Sequence, residues 1–238
     1  MINLNVFLAK SGVCSRRDAA VLVKEGKVTV NGRQILEPWH KVTDGDSIKV
    51  KGKLLRPEKN VYVMFNKPKG VTTTLEDRFA ESKVVDFIPK NFGRVYPVGR
   101  LDKPSRGLII LTNDGDLCYR MTHPKFEIEK EYSVTVKGRL DGGILGRLKR
   151  GVRDGEDILR VKSANIEHAD DSKSRIKVIA CEGKKRHLRR LFEDFGFEVL
   201  DLVRVRIGLL SLGNLKEGHF KVIERKTIYA AVSGEEKQ

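Results

Sequence analysis

The sequence predicts an α+β protein in two parts, a small basic N-terminal domain followed by a larger one rich in strands. Three observations carry this. The first sixty residues show two short helical patterns and a hairpin signal, with little apolar content for a large core. Beyond them, several stretches alternate apolar and polar residues, as half-buried strands do, with turn signals between. Between the parts, Lys51 to Asn60 combines basic residues, Pro57 and few apolar side chains, which reads as a linker. The domains are accordingly taken as residues 1–58 and 59–238.

In chain order, Val6-Phe7-Leu8-Ala9 reads as part of a short helix from Asn5 to Lys10, stopped by Ser11-Gly12. Ser15 is a natural N-cap for a second helix, with Asp18 placed to reach back to the backbone. Ala19, Leu22 and Val23 line one face of it, and Gly26 ends it. Val28-Thr29-Val30, Asn31-Gly32 and Gln34-Ile35 make a hairpin with a tight turn. A further strand is expected at Ser47 to Val50, entered through Asp44-Gly45-Asp46.

The larger part opens with a strand over Val61 to Phe65 and a shaped turn, Asn66-Lys67-Pro68-Lys69-Gly70. Thr72 to Ser82 reads as a mobile loop and Val84 to Ile88 as a short helix closed by Pro89. Leu108 to Leu111 is short and aliphatic, as a buried strand would be, and Asn113-Asp114-Gly115 would reverse the chain after it. That leaves Asp102 at the rim of a rigid sheet, where catalytic side chains tend to be placed. A helix is expected from Asp116 to Met121, alternating strands at Phe126 to Val136 and Arg175 to Ala180, and an amphipathic helix from Leu140 to Lys149. Gly151 to Asp157 reads as a loop and Asp170-Asp171-Ser172 as an acidic turn. Lys184, Lys185, Arg186, Arg189 and Arg190 open a helical pattern that continues to Phe195. The macrodipole disfavours cations at a helix N-terminus, so contact with phosphate or a buried carboxylate explains them better.

Lys+Arg 47 against Asp+Glu 32 gives a net charge of +15, which favours a polyanionic partner, most commonly nucleic acid. The excess is densest at the start, with 12 basic against 6 acidic residues in the first sixty. An anionic membrane surface would call for a basic amphipathic helix with a bulky apolar face, and none is evident. No apolar run reaches membrane-spanning length, and the N-terminus lacks a secretory pattern. Cys14, Cys118 and Cys181 are far apart, without a Cys-x-x-Cys pair or a histidine at ligand spacing, which argues against a disulfide framework and a zinc site. The acidic turns lack calcium-loop spacing, so no metal is expected.

Together, Asn66-Lys67-Pro68-x-Gly70, Gly99-Arg100-Leu101-Asp102, Ser105-x-Gly107-Leu108-Ile109-Ile110-Leu111-Thr112-Asn113-Asp114-Gly115, Lys130-x-Tyr132, the Glu182-Gly183 to Leu188-Arg189-Arg190 stretch and Val203 to Gly218 resemble the RsuA-type pseudouridine synthases, which modify ribosomal RNA. The resemblance covers essentially the whole chain. Ser15-Arg16-Arg17, Gly26-x-Val28-x-Val30-Asn31-Gly32 and the Gly45-Asp46 strand resemble the αL RNA-binding module, first known from a small-subunit ribosomal protein. The family resemblance implies a mixed, mainly antiparallel central sheet with a catalytic cleft.

It also implies roles. Asp102 is the catalytic carboxylate, Tyr132 lies against the base, and Leu188 packs beneath it. Arg189 pairs with Asp102, and such a guanidinium keeps a carboxylate ionised, commonly lowering its pKa by about 1–3 units. Arg100, Lys184, Arg186 and Arg190 become substrate-binding candidates, while Arg16, Arg17, Lys24 and Lys27 are candidates for holding structured RNA in the N-terminal domain. Asn66 and Lys67 read as architectural. The product is an isomer of the substrate, so no cofactor is expected, and the target uridine must flip from its stack. The expected partner is ribosomal RNA, free or in a partly assembled subunit, and the protein is expected to be a cytoplasmic monomer. The polar end of the chain, without a basic extension, favours a small-subunit target. Two rivals stand beside this: a non-catalytic RNA-binding assembly factor, and a methyltransferase, for which Gly99 to Asp102 is too short a cofactor loop.

Overall fold

A computed structural model describes residues 1–77 and 79–233, so the polar tail after Ser233 lies outside the described residues. The chain forms two compact units. One is Met1–Asn60 with Lys90–Arg94, and the other is Val61–Pro89 with the described residues from Val95 on.

The first unit contains β1 (Ile2–Asn3), α1 (Leu4–Lys10), α2 (Arg16–Lys24), β2 (Val28–Val30), β3 (Arg33–Gln34), β4 (Lys41–Val42), β5 (Ile48–Val50) and β6 (Lys53–Leu54). Strands β3-β2-β5-β6 form one antiparallel sheet and β1 pairs with β4. Leu4, Leu8, Ala19, Val23, Val28 and Ile48 close a small core between helices and sheet. Ser15 caps α2 as expected, accepting from the Asp18 amide at 3.2 Å. The Asp18 carboxylate, however, takes the Ser15 hydroxyl at 2.7 Å rather than reaching the backbone. Asn31 and Gly32 have φ of 52° and 81°, the paired positive angles of a two-residue hairpin turn. The linker reading of Lys51 to Asn60 is corrected in part. Lys51 and Gly52 repeat that turn at 47° and 80°, and Lys53–Leu54 folds back onto β5. A lysine stands where asparagine would have announced the turn.

The second unit contains β7 (Tyr62–Lys67), β8 (Tyr96–Val98), β9 (Arg106–Thr112), α3 (Gly115–Thr122), β10 (Lys130–Lys137), α4 (Gly143–Arg150), β11 (Val152–Asp154), β12 (Asp157–Leu159), β13 (Ser163–Ala169), β14 (Lys173–Ala180), α5 (His187–Asp194), β15 (Val199–Ile207), β16 (Leu210–Ser211), β17 (Phe220–Val222) and α6 (Arg225–Ser233). The main sheet runs β13-β14-β10-β15-β9-β7-β17, with β8 on β9 and β16 on β15. Every pairing in it is antiparallel except β15 with β9, which agrees with the expected mixed, mainly antiparallel sheet. Leu108 to Leu111 are fully buried at its centre. Leu108 and Ile110 pack with Tyr62, Met64, Leu117 and Ile228 in one core cluster. Among the described residues, no helix is long and apolar enough to cross a membrane.

Asn113-Asp114-Gly115 does turn the chain, as a helix cap. Asp114 accepts from the Asp116 and Leu117 amides at 3.1 and 3.3 Å and from the Tyr62 and Tyr229 hydroxyls at 2.7 and 2.9 Å. Several readings differ from expectation. Residues 151–157 are mostly a hairpin, β11–β12, turning at Gly155 with φ 60°. The strand expected from Phe126 begins at Lys130, because Pro124–Phe126 is a 3-10 turn and Glu127 has φ 48°. The amphipathic helix starts at Gly143 instead of Leu140. The start of the Thr72 loop is tied down: Thr72 donates its amide to Ser82 at 2.9 Å and its carbonyl accepts from Val84.

Candidate active site

The segment Leu101 to Ser105, between Gly99 and β9, is held from three directions. Thr73 Oγ1 donates to the Leu101 carbonyl at 2.8 Å and accepts from the Leu101 amide at 3.3 Å. The Gly70 amide donates to the Lys103 carbonyl at 2.8 Å. From β7, the fully buried Lys67 extends Nζ to the carbonyls of Ser105 at 2.7 Å, Pro68 at 2.9 Å and Lys103 at 3.5 Å. From α5, Arg189 Nη2 donates to the Pro104 carbonyl at 3.2 Å and to Ser105 Oγ at 3.5 Å. Within the turn, the Ser105 amide closes on the Asp102 carbonyl at 2.9 Å. The half-buried Asp102 side chain is thus carried on a fixed backbone. Among the described residues its carboxylate makes no hydrogen bond or ion pair, so it is available to a ligand.

The expected pairing of Arg189 with Asp102 is corrected. Arg189 Nη1 goes to the Val199 carbonyl at 3.1 Å, and its other arm braces the loop instead of the carboxylate. Burial pulls the Arg189 pKa down and the Arg186 charge adds to this, while the Asp102 charge works the other way. Asp102 and Arg189 are therefore electrostatic neighbours without a direct bond. Lys67 behaves similarly: burial lowers its pKa to about 8, opposed by the charges of Asp102 and Glu217.

Sheet register lines up the remaining groups. Tyr132 on β10 lies opposite Arg204 on β15, Arg204 opposite Gly107 on β9, and Gly107 opposite Lys67 on β7. Residues in one such row share a face, and neighbouring strands are about 4.8 Å apart, which puts Tyr132 roughly 10 Å from Gly107. Arg204 is buried, donates Nε to the Leu108 carbonyl at 2.7 Å and leaves Nη2 without a partner. Lys130 sits on the same strand as Tyr132, its pKa lowered to about 8 by burial and then by the Arg204 charge. Gly107 is where the chain passes too close for a side chain. A Cβ there would lie 2.7 Å from the Arg204 amide nitrogen and closer to its carbonyl oxygen, and φ is 106°. Leu188 is buried in α5.

The basic stretch before α5 has a different setting from the one expected. The helix begins at His187, with Arg186 as its N-cap at φ 52°, so Lys184 and Lys185 lie ahead of it while Arg189 and Arg190 fall within its first four residues. Carboxylates answer several of these cations: Lys184 pairs with Glu182 at 3.1 Å and Asp157 at 3.7 Å, and Arg186 with Glu193 at 3.0 Å. Arg190 bonds Asp154 and Asp157, and these bonds raise its pKa. Arg100 is exposed and unpaired among the described residues. In the first unit, Arg17, Val21 and Lys24 form an exposed stripe along α2 beside Arg16, whereas Lys27 pairs with Glu25 at 2.6 Å. Sequence reasoning missed Thr73, Ser105 and Arg204, and underrated Lys67. A lysine closing a buried strand that is apolar as far as Phe65 was the available signal for Lys67.

Comparison with known proteins gives the family. Residues 61–194 match the RNA pseudouridylate synthase family, and residues 2–48 match the S4 domain. The chain is 40% identical over 220 residues to the ribosomal large subunit pseudouridine synthase B of Bacillus subtilis (strain 168), covering 92% of this chain and 90% of that one. It is 36% identical over 223 residues to the dual-specificity RNA pseudouridine synthase RluF of Escherichia coli (strain K12), covering 92% and 74% respectively. A crystal structure of a pseudouridylate synthase superimposes with a TM-score of 0.67 at 26% identity, covering 97% of this chain and all of that one. With an S4 domain ahead of a matching synthase domain, the chain belongs to the RNA pseudouridylate synthase family.

Proposed function

We propose that this protein isomerises a uridine of large-subunit ribosomal RNA to pseudouridine, with residues 1–58 gripping the RNA and residues 59–238 doing the chemistry. The observation that carries the site assignment is the unengaged Asp102 carboxylate on a loop braced by Thr73, Lys67 and Arg189. The name of the Bacillus subtilis relative favours the large subunit over the small-subunit target read from the polar end of the chain. The protein would work in the cytoplasm, where its RNA is made and assembled.

In this reading Asp102 acts on the sugar or base of a uridine flipped out of its stack, and the glycosidic bond to nitrogen breaks. The detached uracil turns within the enclosed site and rejoins the ribose through carbon. That carbon then gives up its proton to a base and the nitrogen released from the ribose takes one up, so that the product is an isomer. Tyr132 lies against the ring and Leu188 supports it. Arg189, Lys67 and Arg204 surround the carboxylate side of the site with positive charge in a partly dry setting, where such charges act more strongly than in water. Arg100, Lys184, Arg186 and Arg190 meet RNA phosphates, the last three by exchanging a carboxylate partner for a phosphate. Arg16, Arg17, Lys24 and Lys27 hold structured RNA. The test is pseudouridine mapping on unmodified ribosomal RNA incubated with the protein and with Asp102→Asn. One new site with the parent and none with the variant is expected. RNA binding by both with no modification by either would refute the reading in favour of an RNA-binding assembly factor.

A further inference from the structure

We propose that the aromatic and cationic cluster at the end of α3 is a second RNA-binding site, which stacks an unpaired nucleotide near the target uridine. This rests on the functional reading above. The Tyr119 ring lies 4.8 Å from His123 and 5.6 Å from Phe126, and His123 lies 6.3 Å from Phe126. Tyr119 keeps 47% of its surface exposed, and His123 is exposed as well. Lys125 places Nζ 4.9 Å from the Tyr119 ring and 4.8 Å from that of Phe126, and Arg120 stands 6.0 Å from Phe126.

Location ties the cluster to the catalytic loop. Helix α3 leaves the far end of β9 and runs back until Thr122 meets the Gly99 turn, where a Cβ on Gly99 would be 3.7 Å from Thr122 Cγ2. Gly99 is three residues before Asp102, and the exposed Arg100 lies between them.

Charge identifies the occupant. Among the described residues Arg100, Arg120 and Lys125 form no ion pair, in contrast to Lys184, Arg186 and Arg190, each answered by a carboxylate. Glu127 is the sole carboxylate between residues 117 and 128, and it pairs with none of them. The fold gains little from rings and cations left in water, whereas single-stranded RNA uses both: every base offers a π face, and the phosphates take the cations. A duplex hides its base faces, so the ligand is an unpaired nucleotide. An anionic membrane would call for a longer aliphatic face than three rings provide.

The experiment measures kcat and KM of the full-length protein on unmodified ribosomal RNA for the parent, Tyr119→Ala, Tyr119→Phe and Lys125→Gln. Circular dichroism verifies the fold of each. Tyr119→Ala is expected to raise KM about tenfold with kcat unchanged, the scale of losing one base–aromatic stack, while Tyr119→Phe behaves as the parent. Lys125→Gln is expected to raise KM and to reduce the slope of log affinity against log salt by about 0.7, the value of one single-strand phosphate contact. An active parent with an unaltered KM in Tyr119→Ala overturns the second site and leaves the synthase reading intact. Equal losses in Tyr119→Phe and Tyr119→Ala also overturn it, because a stack does not need the hydroxyl. A parent that makes no pseudouridine overturns both.

Discussion

Replacing Gly107 with alanine tests the parallel join at the centre of the sheet. Only two residue pairs, Val203 with Arg106 and Arg204 with Gly107, link β15 to β9. Gly107 has φ 106°, an angle at which an L side chain costs about 1–3 kcal/mol. Its new Cβ would stand 2.7 Å from the Arg204 amide nitrogen and closer still to the Arg204 carbonyl oxygen, where ordinary contact begins at 3.4 Å, so the strands must part by more than about 0.7 Å. Losing one or two ladder hydrogen bonds adds about 1 kcal/mol each, for a total of about 2–5 kcal/mol. In a domain of this size that lowers the thermal midpoint by roughly 4–20 °C. Gly138→Ala is the control, since its φ is 81° and nothing lies within 4 Å of its Cβ. It carries the backbone strain alone. Differential scanning calorimetry of both variants separates strain from close approach, and equal shifts in the two would refute the crowding argument.

Two further substitutions probe buried charge. Lys67→Met is expected to lower the single-turnover rate at least about tenfold, since loosening a catalytic residue by an ångström is costly. In the parent, stability should rise with pH between about 8, the folded pKa of Lys67, and about 10.4, its unfolded pKa, because the unfolded chain holds more protons in that window. Lys67→Met should lose part of that rise in denaturant titrations, the remainder coming from Lys130, whose pKa burial also lowers to about 8. A slope equal to the parent's would contradict the assignment. Asp114→Asn addresses the opposite sign. Burial pushes the Asp114 carboxyl up, but the hydroxyls of Tyr62 and Tyr229 and the amides of Leu117 and Asp116 outweigh it and hold the pKa below the usual range. Its stabilisation is present above about pH 3.9 and is lost as pH falls through the lowered folded value. Asparagine still caps a helix, so the variant should lose about 1–2 kcal/mol at pH 7 and less at pH 2. Equal losses at both pH values would be inconsistent with a charge effect.

Strongly periodic features were legible in the sequence. The aliphatic run at Leu108 to Leu111 and the alternation through Lys130 to Val136 named central strands, and Ser15 and Asn31-Gly32 named a cap and a turn by local chemistry. Short polar hairpins were not, because β11 and β12 are three residues each and their stability comes partly from Arg190, which is remote in sequence. The site was legible as a set of motifs but not as an arrangement. Arg189 was expected on Asp102 because a motif records residue types, and the structure gives its guanidinium carbonyl partners that no motif encodes. Thr73 was hidden for the same reason: its partner is the backbone of Leu101, which carries no side-chain signature.

The braced segment from Leu101 to Ser105 also bears on how a target is chosen. A backbone already fixed beneath the carboxylate by Thr73, Lys67 and Arg189 leaves little ordering for the protein to do when RNA arrives. The disorder that must be surrendered then falls mainly on the nucleic acid, which has to unstack a uridine and hold it still. Uridines in strained or weakly paired settings meet that demand most readily. Discrimination among the uridines of a long RNA would then follow the local softness of the RNA as much as its sequence. A protein with a rigid centre would sort its substrates by how easily they deform.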